Sequence, residues 1–276
     1  MNNLEINKIY NESNLDTMAK MPNDFIDLTV TSPPYDDLRD YNGYSFPFEE
    51  IAKELYRVTK EGGVIVWVVS DATIKGSETG TSFKQALFFK ECGFNLHDTM
   101  IYNRVSPFPD KIRYRQSFEY MFVFSKGKPK TFNGLRENKN KSKNSFGSKK
   151  SSSYREKNGS LKKLNEKAIK RFLKSSEDLT KLMSNIWSIS AGYMVSSSDK
   201  ISFNHPATFP EDLAKKHIYS WSSENDLVYD CFMGSGTTAK MAHLQKRNWI
   251  GSEMSEEYTN IANKRLKPYL DQQTLF

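Results

Sequence analysis

The stretch DLVYDCFMGSGTTAKMAHLQKRNWIGSE, Asp226–Glu253, decides the fold class of this chain of 276 residues. It consists of an apolar run, a turn with two glycines, a segment of helical periodicity and a second apolar run. This order predicts strand, turn, helix and strand, the unit that builds a parallel sheet covered by helices. The sequence therefore predicts an α/β fold with helices on both faces of the sheet.

The same alternation earlier in the chain extends the predicted sheet. A strand at FIDLTVT precedes FEEIAKELYRVTKEGG, which predicts a helix that ends at Gly62 and Gly63. VIVWVVS then has the continuous apolar character of a strand buried on both faces. SFKQALFFKECG predicts another helix with Ser82 as its N-cap, and LHDTMIYNR, SFEYMFVFSKG and NIWSIS predict further strands.

Composition argues against several classes of protein. The chain has no run of about 18 apolar residues, and its N-terminus lacks the layout of a signal peptide. Its two cysteines, Cys92 and Cys231, are far apart and form no CxxC motif, which argues against a disulfide framework and a zinc site. We therefore expect a cytoplasmic protein that binds no metal and in which both cysteines are packing residues.

Positive charge is concentrated in one segment. The formal net charge is +7, and residues 126–174 contain 17 Lys or Arg residues and three acids. This concentration indicates an anionic partner for that segment. From Gly127 to about Ser175 the segment is polar and mostly without periodicity, which fits either a small insertion or a disordered solvated tract. Within it, LKKLNEKAIKRFLKSS has a helical pattern.

The glycine turn is a candidate cofactor site. Gly234 and Gly236 let the backbone approach a ligand closely, and the helix that opens at Thr237 and Thr238 offers free N–H groups. Glu253 ends the next strand about 20 residues later, where an acid can accept from ribose hydroxyls. The alternative is a turn that only packs a helix on a strand. NAD and ATP are disfavoured because the third glycine and the P-loop lysine are missing.

A second candidate site is LTVTSPPYDD, Leu28–Asp37, where two prolines follow a predicted buried strand. Proline has no backbone donor and a fixed φ, so the pair ends the strand pairing and restricts the neighbouring Ser32 and Tyr35. A hydroxyl, a carbonyl and an aromatic ring are thereby held at a strand tip. The alternative is a rigid turn without a ligand.

Together the two motifs resemble the amino-methyltransferases of DNA, which transfer a methyl group from S-adenosylmethionine to an exocyclic nitrogen of a base. TSPPY contains a tetrapeptide of the family's catalytic form [DNS]-P-P-[YFW]. DCFMGSGTT is similar to its cofactor turn D-P-F-x-G-S-G-T-T, with Cys231 in place of the proline. The tetrapeptide comes first and the cofactor turn last, which resembles the family's beta group.

The resemblance covers the chain except about residues 127–185. It implies a Rossmann-like S-adenosylmethionine-dependent methyltransferase sheet with permuted motif order and a basic DNA-recognition insertion. Residues 1–126 would form the catalytic half of the methyltransferase domain and residues 186–276 its cofactor-binding half. Residues 127–185 would form a target-recognition insertion that is partly flexible.

The resemblance also assigns roles to residues. Asp230 and the backbone from Phe232 to Gly236 would hold the methionyl part of the cofactor, Glu253 the ribose hydroxyls and Glu12 the adenine amino group. The full set of implied cofactor residues is Glu12, Asp230, Phe232, Gly234, Ser235, Gly236, Thr237, Thr238 and Glu253. HPATFP would close over the methionine end, or its His205 would cap the following helix. The catalytic residues would be Ser32, Pro33, Pro34 and Tyr35.

An amino group of a base needs activation because its lone pair is delocalised into the ring. Acceptors placed off the ring plane, such as Ser32 Oγ and the Pro33 carbonyl, would hold both hydrogens and direct the lone pair to the methyl carbon. The base must be flipped out of the duplex, and Tyr35 would stack on it, with Trp67 and Phe46 as further aromatic candidates. Ser at the first position accompanies cytosine N4 in this family, whereas Asp or Asn usually accompanies adenine N6.

The resemblance implies double-stranded DNA as partner and site-specific N4-cytosine methylation as part of a restriction-modification system. It leaves open a homodimer and a cognate endonuclease as functional partner. Three alternatives remain at this point: an N6-adenine DNA methyltransferase, an RNA methyltransferase, and a catalytically silent DNA-binding protein of the same fold.

Overall fold

The structure of the protein, a computed structural model, describes residues 4–34, 46–104, 112–138, 153–163 and 180–271. The chain divides into two compact units. The larger consists of Met1–Asn133 and Asn185–Phe276, and the smaller of Gly134–Ser184. No helix among the described residues is long and apolar enough to cross a membrane.

The described residues form helices and strands that alternate over much of the chain. The helices are α1 (Asn14–Ala19), α2 (Phe48–Val58), α3 (Thr81–Glu91), α4 (Glu211–Trp221), α5 (Thr237–Leu244) and α6 (Glu256–Asp271). The strands are β1 (Lys8–Tyr10), β2 (Ile26–Thr31), β3 (Thr59–Val69), β4 (Thr73–Ile74), β5 (Ser77–Glu78), β6 (Asn95–Asn103), β7 (Phe118–Ser125), β8 (Arg136–Asn138), β9 (Ser153–Arg155), β10 (Leu161–Lys163), β11 (Thr180–Leu182), β12 (Ile186–Ser188), β13 (Leu227–Asp230) and β14 (Asn248–Ser252).

The larger unit is built on a sheet of eight strands in the order β1-β14-β13-β2-β3-β7-β6-β12. β7 is antiparallel to β3 and β6, and the other neighbours are parallel. From the adjacent pair β2 and β13 the chain continues outward in opposite directions, to β3 on one side and β14 on the other. Such a point in an open α/β sheet leaves a crevice beyond the carboxyl ends of the strands. The predicted α/β fold is confirmed.

A large hydrophobic core covers one face of this sheet. α2 presents Ile51, Leu55 and Val58 at helical spacing, and these side chains are fully or almost fully buried. They belong to the same cluster as Trp67 and Phe89, whose ring centroids lie 5.0 Å apart. This packing fixes β3 beside β2 and thereby the position of the tip of β2.

Two predicted helix boundaries are wrong. The helix over FEEIAKELYRVTKEGG ends at Val58, and Gly62 and Gly63 lie within β3 rather than at a helix stop. Gly62 has φ +79° and donates through its N–H to the Lys126 carbonyl at 2.7 Å, so its positive φ serves an extended chain. Ser82 is not an N-cap: α3 begins at Thr81, and Ser82 donates its N–H and its hydroxyl to Asp71 at 2.8 and 2.6 Å.

The smaller unit contains two antiparallel strand pairs, β8 with β11 and β9 with β10. Leu161–Lys163, where the sequence predicted the start of a helix, is strand β10, and residues 164–179 lie outside the described part of the chain. The insertion was predicted to begin at 127, yet residues 127–133 belong to the larger unit. There Lys130 donates its N–H to the Gly62 carbonyl at 2.9 Å.

Candidate active site

A cavity of about 1110 Å³ lies at the carboxyl edge of the large sheet. Ten of the predicted site residues line it: Glu12, Ser32, Pro33, Pro34, Asp230, Phe232, Gly234, Ser235, Thr237 and Glu253. Gly236 and Thr238 are buried and are not among the lining residues, and Tyr35 lies outside the described residues. The structure therefore brings the two motifs together although about 200 residues separate them.

Asp230, the last residue of β13, joins the two motifs. Its Oδ1 accepts from the Thr31 hydroxyl at 2.6 Å and from the Phe232 N–H at 3.0 Å. Burial raises the pKa of Asp230, and hydrogen bonds from Thr238, Thr31 and Phe232 oppose that rise. A buried carboxylate at a cavity wall is suited to receive a cationic or hydrogen-bond-donating ligand group.

Two glycines shape the turn that follows. Gly234 has φ +51°, and a Cβ there would lie 3.0 Å from His205 Nε2. Gly236 has φ +81° and directly precedes α5, and a Cβ there would lie 3.0 Å from Ala262 Cβ. Both positions thus need glycine for conformation and for space. Gly234 serves the cavity wall, whereas Gly236 lets α5 pack against α6.

Glu253 faces the cavity from the turn after β14. Its Oε2 accepts from the Gly234 N–H at 2.8 Å and its Oε1 from the Ser255 N–H at 2.9 Å. Burial raises its pKa, and these backbone donors act in the opposite direction. Each carboxylate oxygen keeps a second lone pair, so the group can also accept from ligand hydroxyls.

Glu12 lines the cavity but is already engaged by protein groups. Its Oε1 accepts from the Thr17 hydroxyl at 2.9 Å and from Lys20 Nζ at 2.6 Å, and Lys20 also contacts Oε2. A ligand amino group at this position would share the carboxylate with Lys20.

The tip of β2 presents the proline motif to the cavity. Ser32, Pro33 and Pro34 line it directly after the strand ends. The Thr238 hydroxyl donates to the Val30 carbonyl at 3.2 Å, so the helix after the cofactor turn is bonded to the strand that carries the tetrapeptide.

Of the two further aromatic candidates, only one lines the cavity. Trp67 is fully buried in the core, donates through Nε1 to Gln85 Oε1 at 2.9 Å and does not line the cavity, so its proposed stacking role is wrong. Phe46 does line the cavity, with its ring centroid 5.6 Å from that of Phe232. Phe46 also packs against Phe48, with ring centroids 6.0 Å apart, and against the core cluster, so it remains the aromatic candidate at the cavity wall.

His205 does not cap the following helix. α4 begins at Glu211 after Pro210 and has no side-chain cap. His205 Nδ1 instead accepts from the Ala207 N–H at 3.1 Å, and its ring centroid lies 4.3 Å from that of Tyr258. All residues from His205 to Pro210 line the cavity.

Sequence reasoning missed a polar group in the cavity wall. Tyr102, Arg104 and Glu119 line it, with Arg104 Nε 3.3 Å from Glu119 Oε1. Burial, assisted by the Glu119 charge, raises the pKa of Tyr102 to about 12, which keeps its hydroxyl protonated at neutral pH. All three residues lie near the ends of predicted strands. Since ligands of open α/β sheets bind beyond the strand ends, this position was the signal that could have identified them.

Sequence reasoning also missed a buried ionic cluster behind the cofactor turn. Arg265 on α6 donates from Nη1 to the Ser235 carbonyl at 2.9 Å and from Nη2 to Glu211 Oε1 at 2.6 Å. Lys240 Nζ lies 2.8 Å from Glu211 Oε1 and 2.7 Å from Asp199 Oδ2. Burial alone would raise the pKa of Glu211, but hydrogen bonds from Lys240, Ser197 and Arg265 lower it. The cluster holds together the turn and the start of α4.

The fold and the cavity are those of an α/β protein with a ligand site at the carboxyl edge of one sheet. The sequence model of the DNA methylase family matches residues 26–264, and the chain belongs to this family. The resemblance inferred from the two motifs is thereby confirmed. S-adenosylmethionine is the methyl donor of the family.

Individual relatives agree with this assignment. The chain is 61% identical over 246 residues to the orphan methyltransferase M.BamHII of Bacillus amyloliquefaciens, which covers 89% of this chain and 90% of that protein. Among solved structures, the PvuII DNA methyltransferase, described as cytosine-N4-specific, has a TM-score of 0.66 at 23% identity and covers 96% and 90% of the two chains. The complex of M1.HpyAVI with SAM has a TM-score of 0.60 at 23% identity and covers 94% and 98%. At these identities the two structures show the fold.

Proposed function

We propose that this protein transfers a methyl group from S-adenosylmethionine to N4 of a cytosine flipped out of duplex DNA. The observation that carries the proposal is Ser32 at the head of the proline motif, on the wall of a cavity that it shares with the cofactor turn. The cavity volume of about 1110 Å³ exceeds the roughly 300–1,000 Å³ that one small ligand usually occupies. In this proposal the cofactor and the base share this cavity.

The cofactor lies along the turn in this proposal. Asp230 and the backbone from Phe232 to Gly236 hold its methionyl part, and the Asp230 carboxylate faces the positive charge of that part. Glu253 accepts from the ribose hydroxyls with the lone pairs left by its two backbone donors. Glu12 accepts from the adenine amino group beside Lys20.

The base lies against the tip of β2. Ser32 Oγ and the Pro33 carbonyl accept the two amino hydrogens, so the nitrogen lone pair points at the methyl carbon. A serine hydroxyl can also donate to the adjacent cytosine N3, which a carboxylate cannot do. Bound S-adenosylmethionine would supply the methyl group and a sulfonium leaving group that takes the carbon–sulfur electron pair, and the amino nitrogen would release one proton to water.

The names of the relatives suggest a biological setting. The chain is similar to a protein named as a type II methyltransferase, M.BglII of Bacillus subtilis, at 26% identity over 280 residues, and to the orphan methyltransferase M.BamHII. We infer modification of DNA in the cytoplasm at a specific sequence, in a restriction-modification setting or as a solitary enzyme. The basic residues of 127–185 supply phosphate contacts and base readout.

The product of the reaction tests the proposal. Purified protein, labelled S-adenosylmethionine and genomic DNA are incubated, and the nucleosides are separated by mass spectrometry. N4-methylcytosine is the expected product. N6-methyladenine alone would overturn the base assignment, and absence of transfer to any DNA, with cofactor binding intact by calorimetry, would favour a silent DNA-binding protein.

Ser32→Ala tests the role of the hydroxyl. Removal of one transition-state hydrogen-bonding group should lower kcat by about 100-fold or more while cofactor affinity changes little. Ser77→Ala, in the exposed hairpin of β4 and β5, is the matched control and should leave both values unchanged. An unchanged kcat in Ser32→Ala would remove Ser32 from the mechanism.

A further inference from the structure

We propose that Met194 and Val195 form an apolar wedge that enters the duplex beside the target base and stabilises its flipped state. The proposal rests on the proposed function, because it needs a base that leaves the duplex. Its starting point is the turn Gly192–Ser196, called the apolar turn below. Three consecutive apolar side chains are exposed there: Tyr193 by 69%, Met194 by 42% and Val195 by 57%.

The apolar turn stands at the edge of the sheet where the chemistry takes place. β12 is parallel to β6, and directly after it the Ile189 N–H donates to the Asn103 carbonyl at 3.3 Å. The chain then leaves the sheet at the carboxyl edge, the edge that also carries Ser32. Tyr193 lines the same cavity as Ser32, so the turn borders the space that the base enters.

The turn is built to present these side chains outward. The N–H groups of Val195 and Ser196 donate to the Gly192 carbonyl at 3.1 and 3.0 Å. Ser196 is buried, and its hydroxyl accepts from the Gly192 N–H at 3.0 Å. Met194 has φ +57°, a conformation that a side chain of this kind rarely adopts. The base of the turn is therefore fixed, while its apolar tip projects to solvent.

The base of the turn is also tied to the cavity wall. The Ser196 carbonyl accepts from the Glu211 N–H at 2.8 Å, at the start of α4. Tyr193 packs on Phe203 with ring centroids 4.8 Å apart, and both rings line the cavity. Met194 and Val195 follow Tyr193 directly in the chain, are exposed and do not line the cavity, so they lie next to its wall.

DNA is the occupant that fits this position. Exposed contiguous apolar side chains mark interaction sites, and a base that moves into the cavity leaves an unstacked gap directly outside it. Proteins that deform DNA insert apolar side chains, Met among them, between base steps, so an apolar side chain is a suitable occupant for such a gap. Met194 is flexible and Val195 compact, so the pair can fill a gap without a specific base contact.

The test compares normal and pre-opened targets. The double variant Met194→Asn/Val195→Thr removes the apolar tip, and Asn tolerates the left-handed conformation. The probes are synthetic duplexes with the site that sequencing of DNA methylated by the wild type identifies, either fully paired or with a mismatch at the target base. The mismatched base is already unpaired, so it needs less help to flip.

We expect kcat/KM of the double variant to fall by about tenfold or more on the paired duplex and to stay within about twofold of wild type on the mismatched duplex. The Kd for S-adenosylmethionine and the thermal midpoint should not change. Leu87→Gln is the control, since Leu87 is 60% exposed on α3 and does not line the cavity, and Gln keeps the helix propensity, so it should leave all values unchanged.

Several results would overturn the wedge. An equal loss on both duplexes, no loss on either, or a loss of cofactor affinity would show that the turn does not act on base opening. A change in sedimentation from wild type would show that the turn is an interface between copies of the chain. Failure of the proposed function is distinguishable, because the wild type itself would then methylate no DNA and sequencing would identify no site.

Discussion

Arg265 should hold the cofactor turn in its binding shape. Its guanidinium lies behind the turn, fully buried, and donates to the Ser235 carbonyl and the Thr237 hydroxyl, both at 2.9 Å. On its other side it reaches Asp199 at 2.8 Å and Glu211 at 2.6 Å. One side chain therefore links the turn to the segment that leads into α4. Arg265→Met removes these bonds and keeps an unbranched apolar chain of similar length.

The expected loss of stability follows from what remains after the substitution. Removing one partner of a buried ion pair costs about 3–5 kcal/mol. Asp199 and Glu211 keep Lys240 at 2.7 and 2.8 Å, so neither acid is left unpaired. We therefore expect the lower end, about 3 kcal/mol, which lowers the thermal midpoint by about 6–12 °C for a unit of this size.

Cofactor affinity should fall as well. A hydrogen bond from a charged group contributes about 1.5–3 kcal/mol, and the Ser235 carbonyl and Thr237 hydroxyl each lose one. Even if relaxation of the turn recovers much of this, the Kd for S-adenosylmethionine should rise at least about tenfold. Arg265→Lys keeps the charge near the acids but cannot also reach the turn, so it should recover stability more than cofactor affinity.

The assay measures thermal unfolding without ligand and S-adenosylmethionine binding by calorimetry, both on the full chain. Arg247→Met is the matched control: Arg247 is also buried and donates to the Ser222 and Gln245 carbonyls, both at 2.6 Å, and it does not line the cavity. It should lose stability and keep cofactor affinity. If Arg265→Met kept wild-type affinity at a temperature where it is folded, the positioning role would be refuted.

Two further predictions concern pH. Burial, assisted by the Lys216 charge, lowers the pKa of His217 from the ordinary value of 6.5 to about 3, so the native state holds this side chain neutral. The unfolded chain takes up a proton at His217 below pH 6.5 and the native state does not, so the native state loses stability as pH falls from 6.5 toward 3. Between pH 7 and pH 4 this loss is about 3 kcal/mol. His217→Phe keeps a ring against Trp187, so the free energy of unfolding in urea should fall by about 3 kcal/mol less between pH 7 and pH 4 than it does in the wild type. An equal fall in both proteins would contradict the assignment. Burial raises the pKa of Asp230, so the native state loses stability as pH rises from the ordinary pKa of a free carboxyl through the raised pKa of Asp230. Asp230→Asn should therefore raise the thermal midpoint of the ligand-free protein more at pH 7 than at pH 4. The same variant should bind S-adenosylmethionine more weakly. A midpoint gain at pH 4 equal to that at pH 7 would contradict this.

Local patterns predicted the parts of the site that depend on a short stretch of chain. The turn after β13 needs glycine at 234 and 236, and the tip of β2 needs its prolines, so both were visible in sequence. The wrong boundaries arose where a distant group decides the outcome. Asp71 supplies the acceptor at the start of α3, which left Ser82 as its donor rather than as the cap.

The residues that sequence reasoning missed share a different cause. The cluster around Arg265 joins residues from 197 to 265, and its partners carry no fixed spacing along the chain. Trp67 was a plausible stacking ring because strands alternate their faces, but the sequence did not show which face α2 and α3 would cover. His205 adjoins a helix start, yet its ring is held against Gly234 by a fold that brings distant segments together.

The two motifs lie together because their strands are neighbours in the sheet, whatever the order of the motifs along the chain. β2 and β13 pair in parallel with Val228 opposite Leu28, so each strand delivers its motif at the same edge. The hydrogen bond from Thr31 to Asp230 then sets the distance between the two motifs at the point where they leave the sheet. A family can therefore move its cofactor turn to the other end of the chain without moving it in space, because the sheet requires only that these two strands remain neighbours. The exposed apolar turn after β12 is added at the far end of that same edge, and this places the proposed contact with the duplex on the scaffold that positions the chemistry.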